Sequence, residues 1–446
     1  MRIQHNTYYG LSKKEIIHMY KKITMVWPAQ AVITESLFRH FSMMAETAGY
    51  LTEHSPVIKE LNFQVQIADC AVVSHTAMNM ARLVHESDII AIAINMNNVR
   101  EAIDTAAFFK SVNRKRIIIA YGEAIACGVE FFARQEVFDW VIYGGQFELG
   151  IEAGICLVER KDWCSLNKSI NRNAFIIDGK VIKIRREMLL PENLWGMPQL
   201  DLLPITDYLR IGNGELHITA CKGCPFNCEF CNEVYVSTGK LRYRNTQQIV
   251  EYLTEIAASY GATSAYLDSS TFTYNKEWVI KLCSELISSG KPILPWKTCT
   301  RLDCIDEELI TLMGKAGCTR ISVGVESISP DIQKRIKKKT DLEKLKFFSF
   351  VCHKNGITPR ALLIIGLQGQ ESCEIEEART IFSNMGIQTR FRVLQDFSFM
   401  HEKKEIVISD FEKLNRWLIH SPFEDMDIND IRKYEYPQSR NTQSFS

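Results

Sequence analysis

The sequence predicts an α/β protein made of two successive parallel sheets, and three observations carry that prediction. Short apolar runs alternate with amphipathic segments over residues 1–164 and again over 211–400. A proline-bearing connector, 165–210, separates the two runs. Four cysteines, Cys221, Cys224, Cys228 and Cys231, follow directly on the first strand candidate of the second run.

In the first run the strand candidates are Lys22–Trp27, Asp69–Ser74, Asp88–Asn95, Arg116–Gly122 and Asp139–Gly145. Helical patterns fall at Thr34–Gly49, Val99–Lys110 and Ala126–Gln135. Strands that are apolar almost throughout, with helices between them, predict a parallel sheet covered on both faces. Ligands of such sheets sit beyond the carboxyl ends of the strands. Those ends carry Ser74 and His75, Asn95 and Asn97, Gly122 and Glu123, and Gly144 and Gly145. Residues this small or polar let a bulky ligand approach the backbone, and they also make ordinary tight turns. In the connector, two alternating runs around Asp178-Gly179 predict a hairpin over Asn173–Ile184. Pro191, Pro198 and Pro204 then break the chain.

The second run has six strand candidates: Leu216–Ala220, Ser264–Asp268, Ile293–Thr298, Arg320–Val325, Arg360–Ile365 and Thr389–Leu394. Between or beside them lie helices at Thr246–Tyr260, Lys276–Ser288, Asp306–Ala316, Pro330–Lys338, Asp341–Asn355 and Cys373–Met385. Units of this kind build a closed or partial barrel with its chemistry at the carboxyl ends of the strands. The cysteine loop stands at such an end. Residues 401–446 form a tail placed to cover a substrate, although nothing in it names a ligand.

Composition narrows the function. Lys and Arg total 53, as do Asp and Glu, so no overall charge draws the chain to nucleic acid or to an anionic membrane. The basic run Lys334–Lys339 reads as a solvated helix face. No apolar run approaches the roughly 20 residues that cross a bilayer, and the start of the chain lacks the apolar stretch of a signal peptide, so a cytoplasmic protein is expected. Fourteen cysteines in 446 residues fall well short of a disulfide scaffold. Most are scattered through apolar segments, where a free thiol packs as a small hydrophobe.

The clustered cysteines need a chemical explanation. Cys224, Cys228 and Cys231 form C-x3-C-x2-C, a thiolate triplet able to wrap one corner of a small cluster, and soft sulfur ligands favour Fe–S, Zn or Cu(I). Reading Cys221/Cys224 and Cys228/Cys231 as a zinc pair puts the two knuckles far closer than the usual separation of about 12–20 residues. A bacterial ferredoxin run has a different middle spacing.

The triplet, with Phe230 before its last cysteine, resembles the signature of radical S-adenosylmethionine (SAM) enzymes. In that family the three cysteines hold a [4Fe–4S] cluster whose open iron binds SAM. The resemblance leaves Cys221 outside the ligand set. It continues along the strand ends and implies SAM-binding roles for Phe230, Asp268, Arg301, Glu326 and Gly366. Asp268 would hold the amino group, Arg301 would pair with the carboxylate, Glu326 would lie near the cofactor, and Gly366 belongs to a segment beside the adenine. The first run is similar to the cobalamin-binding domain at the front of many of these enzymes, but it lacks the D-x-H-x-x-G element that supplies a histidine to cobalt in some cobalamin proteins. The resemblance therefore implies cobalamin at the strand ends named above, with no protein histidine on its lower face; His75 is the nearest alternative ligand.

The implied architecture is a Rossmann-like cobalamin-binding domain followed by a radical SAM partial (β/α)6 barrel. The implied activity is methylation of an unactivated carbon of a small molecule or peptide, with electrons from an external one-electron reductant. A non-methylating rearrangement or cyclisation by the same cofactors, and a non-catalytic Fe–S or cobalamin sensor, are the alternatives. No extra cysteine cluster follows Cys373, so a second auxiliary cluster is not expected.

Overall fold

The computed structural model describes residues 21–435 apart from 30–35, 161–172, 178–179, 185–188, 234–239 and 398–404, and single positions at 145, 229, 232, 339, 396 and 419. The first sheet contains β1 (Lys21–Trp27), β2 (Phe63–Asp69), β3 (Ile89–Ala93), β4 (Ile117–Tyr121), β5 (Trp140–Ile142), β6 (Asn173–Ile177) and β7 (Lys180–Ile184). Its order is β2-β1-β3-β4-β5-β6-β7, with the first five strands parallel and the last two antiparallel. The parallel part has the doubly wound order 2-1-3-4-5, whose direction reverses between β1 and β3. β3 reads IIAIA and is buried at every position, as a central strand covered on both faces requires.

The strand expected at Asp69–Ser74 lies earlier, at Phe63–Asp69. FQVQIAD alternates because β2 is an edge strand with partly exposed faces, and the apolar run after it forms a turn. Ser74 and His75 therefore sit in an exposed loop past the strand. The helix expected over 126–135 is two short helices, Glu123–Cys127 and Val129–Ala133, divided at Gly128. The hairpin assigned to the connector extends the first sheet beyond β5, and its turn, Asp178-Gly179, lies outside the described residues.

The second sheet begins with β8 (Glu215–Thr219). β9 (Cys221–Lys222) and β10 (Arg242–Tyr243) form an antiparallel ribbon that brackets the cysteine loop at its base. β11 (Ser264–Asp268), β12 (Trp296–Thr300), β13 (Cys318–Glu326), β14 (Thr358–Ile365) and β15 (Gln388–Val393) complete the parallel set. The order is sequential from β8 to β15, which lie at opposite edges, so this is a partial barrel. Ile321, Val323 and Val325 of β13 are buried, while the alternate residues form the polar face that carries the site.

The two sheets share a core. One buried apolar cluster includes Met25 of β1, Met44 and Leu51 of the helix Ser36–Glu53, and Leu216 and Ile218 of β8. At the seam the Glu46 carboxylate, 1% exposed, meets the fully buried Arg244 guanidinium at 2.8 Å. It also accepts from the Thr219 N–H at 2.7 Å. Gly49 and Gly196 allow backbone to touch backbone there: a Cβ on Gly196 would stand 2.1 Å from the Tyr50 nitrogen.

The chain after β15 crosses both sheets. Gln395 donates to Asn97 Oδ1 at 2.7 Å and to Asn415 Oδ1 at 2.6 Å, and Asn415 donates to the Met96 carbonyl. Phe411 packs on Phe131 and Phe132, and Trp417 and Pro422 lie over Gly366. The tail therefore spans the strand ends of both sheets.

Candidate active site

Each chemical group sits where a strand ends. Cys221 is on β9, only 4% exposed, with its sulfur 2.7 Å from Ser269 Oγ. Burial pushes its thiol up to about 12, so it stays protonated and packs. Cys224, Cys228 and Cys231 are half-buried and free of disulfides. Cys224 Sγ lies 3.7 Å from Thr271 Oγ1, and the Arg301 guanidinium donates to Cys228 Sγ at 3.6 Å. The Cys231 N–H bonds the Cys228 carbonyl at 3.1 Å, which tightens the loop. Burial raises the Cys228 thiol while Lys338 and Arg301 oppose it.

Among the described residues no three donors are already drawn together at metal-binding distance. The donor chemistry nevertheless fits an iron–sulfur cluster. Three thiols in no disulfide lie on one short loop, with two cations beside Cys228 to offset thiolate charge.

Asp268 closes β11 and is 7% exposed. Its carboxylate is 3.1 Å from His217 Nδ1, and the other ring nitrogen stands 3.5 Å from Glu215. Lys297 reaches Glu215 at 2.6 Å and Tyr266 stacks on the imidazole. Burial alone would lower the histidine, but the two carboxylates outweigh it and hold it at about 9, so His217 is an imidazolium at neutral pH. The same contacts hold Glu215 well below the usual carboxylate range against burial. Sequence reading passed over His217; its sign was a polar residue at every second position of β8 and β11.

The Arg301 fork clasps its neighbour Asp303, at 2.8 and 2.7 Å, which leaves Nη1 toward Cys228. The guanidinium also covers the Phe226 ring at 3.8 Å. Glu326 ends β13 with a left-handed backbone (φ 70°) and forms a buried ion pair with Lys338. Phe230 packs with Ile332, Ile336, Ile364 and Leu367. Gly366 ends β14 with φ 93° and donates its N–H to Gln370. The five expected SAM-site residues thus come from the cysteine loop and from or just beyond the ends of four strands: β11, β12, β13 and β14.

On the first sheet, Asn95, Asn97, Gly122, Glu123 and Gly144 gather just beyond the adjacent ends of β3, β4 and β5. Gly122 is there because a Cβ would stand 2.1 Å from the Ile94 carbonyl oxygen. Asn95 Nδ2 and the Tyr121 hydroxyl are buried without a hydrogen-bond partner among the described residues. Orphan polar groups of this kind suit a polar ligand. Gly145 lies outside the described residues. Ser74 and His75 follow the edge strand β2, which β1 separates from β3.

Comparison with known proteins fits this geometry. Residues 218–380 match the profile of the Radical SAM superfamily. The matched stretch resembles a radical SAM domain. It begins within β8 and contains the cysteine loop and the ends of β11 to β14. An uncharacterized methyltransferase of Pyrococcus horikoshii is 24% identical over 319 residues, 70% of this chain and 68% of that protein. The anaerobic magnesium-protoporphyrin IX monomethyl ester cyclase of Rubrivivax gelatinosus is 26% identical over 249 residues, 53% of this chain but only 44% of its own length. Among solved structures, the radical SAM methyltransferase TsrM from Kitasatospora setae superposes with a TM-score of 0.69 at 14% identity, over 86% of this chain and 75% of that one. The cobalamin-dependent radical SAM enzyme OxsB gives 0.66 at 17% identity, over 90% and 56%. At these identities the structures establish a common fold. No helix among the described residues is long and apolar enough to cross a membrane.

Proposed function

We propose that the chain is a cobalamin-dependent radical SAM enzyme that methylates an unactivated carbon of a small molecule or peptide. The observation that carries this is one seam. The thiol loop with the ends of β11 to β14, and the orphan polar groups of the first sheet, lie on two sheets that share a core and one covering tail.

Cys224, Cys228 and Cys231 would hold a [4Fe–4S] cluster, and Arg301 and Lys338 offset its charge. Phe230, Asp268, Arg301, Glu326 and Gly366 would line the SAM pocket. Asn95, Asn97, Gly122, Glu123, Gly144 and Gly145 would border cobalamin, and Ser74 and His75 drop out of that set on position. The three bound groups supply the electron, the hydrogen-abstracting radical and the methyl group. The chain's own work is to orient them. His217 fixes the Asp268 carboxylate, the Arg301–Asp303 clasp fixes the guanidinium beside Cys228, and the tail excludes water from the seam. An external one-electron reductant in a reducing, cytoplasmic setting completes the reading.

The test is turnover of methyl-labelled SAM by anaerobically reconstituted protein. Label should enter product, and Cys228→Ala should abolish reductive cleavage. Ample 5′-deoxyadenosine from that variant would refute the assignment. The cyclase among the relatives favours a second reading, a non-methylating ring closure, which the same experiment reveals as product without label.

A further inference from the structure

Among the described basic residues of the run 334–339, Lys338 alone is buried. The helix Pro330–Arg335 stops early, Lys337 turns left-handed (φ 55°), and Lys338 folds back inward to 9% exposure. Three hydrogen bonds hold the reversal. The Lys338 N–H donates to the Gln333 carbonyl at 2.9 Å, Gln333 Nε2 to the Ser327 carbonyl at 2.6 Å, and the Thr340 N–H to Gln333 Oε1 at 2.9 Å. The ammonium thereby reaches the Glu326 carboxylate at the tip of β13.

The strand is shaped for this pair. A Cβ on Gly324 would lie 2.4 Å from Glu326 Oε1 and 2.6 Å from Lys338 Nζ, so β13 gives up a side chain to seat both. Glu326 holds a left-handed backbone (φ 70°), a conformation that non-glycine residues seldom adopt. The same ammonium stands 5.7 Å from the centre of the Phe230 ring, inside the cysteine loop. A lysine serving only solubility needs none of these features.

We propose that Lys338 is a positioning residue of the cofactor pocket, fixing the Glu326 carboxylate and supplying, with Arg301, a cation to the thiolate loop. The proposal rests on the cluster assignment made above. A fixed cation favours the reduced, more negative cluster, and the held carboxylate keeps one geometry for SAM.

The experiment is an EPR-monitored redox titration of the reconstituted protein without SAM, followed by measurement of SAM affinity. Lys338→Met should move the midpoint potential to more negative values and Glu326→Gln should move it the other way, while Lys338→Arg stays near wild type. SAM affinity should fall at least tenfold in Lys338→Met. Lys334→Met, at an exposed position of the same run, should change neither. Opposite signs from the two partners are an electrostatic signature that a merely structural defect does not give. Should Lys338→Met fail to hold the cluster, Lys338→Gln, which keeps a donor toward Glu326, must show the same negative shift. Unshifted potentials, or shifts of one sign in both partners, overturn the proposal. A wild-type protein that takes up no cluster overturns the assignment beneath it and the proposal with it.

Discussion

Glu46→Leu tests how the two sheets are held together. Glu46 and Arg244 have side-chain exposures of 1% and 0%, so the substitution leaves a guanidinium charge buried without its counter-ion. Breaking one side of such a pair costs about 3–5 kcal/mol. The Thr219 N–H, which bonds Glu46 Oε1 at 2.7 Å, also loses its acceptor, for about 1–3 kcal/mol more. The sum, about 4–8 kcal/mol, is comparable with the whole stability of an ordinary domain, about 5–15 kcal/mol. Urea unfolding of the metal-free protein, followed by tryptophan fluorescence and far-UV circular dichroism, measures it. Glu46→Leu/Arg244→Met removes both charges and should recover at least half the loss, because an apolar pair of similar volume is often no worse than a buried ion pair. A single variant within about 1 kcal/mol of wild type, or a double variant no better than the single, would refute this account of the seam.

Three further outcomes follow from the same geometry. His217 is raised from 6.5 to about 9, so its contribution is full below pH 6.5 and lost as pH rises through 9; about 3 kcal/mol at 1.36 kcal/mol per unit should vanish across that window in wild type and not in His217→Gln, by unfolding at a series of pH values. Cys221→Ser should retain iron and acid-labile sulfide at wild-type stoichiometry, since its sulfur packs on Ser269; cluster loss would reopen the ligand set. Gly196→Ala places a methyl group 2.1 Å from the Tyr50 nitrogen and should lower the melting temperature by several degrees at least, whereas the open turn at Gly261 tolerates the same substitution with only the modest penalty of its positive φ.

Regular elements with strong local patterns were legible in the sequence. β3, β4 and β5 could be read because runs such as IIAIA are buried on both faces, and the parallel second sheet because its helices recur at regular spacing. β2 was misplaced because an edge strand needs apolar residues on one face only, and FQVQIAD looks less strand-like than the apolar turn after it. The thiol triplet was plain because its chemistry is local.

Lys338 was hidden for the opposite reason. Its helix ends through a left-handed lysine, with no glycine or proline to mark the stop, and a helix continued through 338 would point that side chain at solvent. His217, Asp268 and Glu215 come together only when β8 and β11 pair in register. That a tail follows the barrel was legible in the sequence. Its contacts with Met96, Asn97 and Phe131 involve partners about 300 residues away, beyond the reach of any local pattern.

Those distant contacts also set an order of assembly. Gln395 and Asn415 reach Asn97 and Met96 across sequence separations of 298 and 319 residues, so every strand of both sheets is made before the strap that joins them. Until then the segment after β3 and the turn at Gly366 lack the tail that later lies on them. A ligand of the proposed size can enter there before that later-made segment closes behind it.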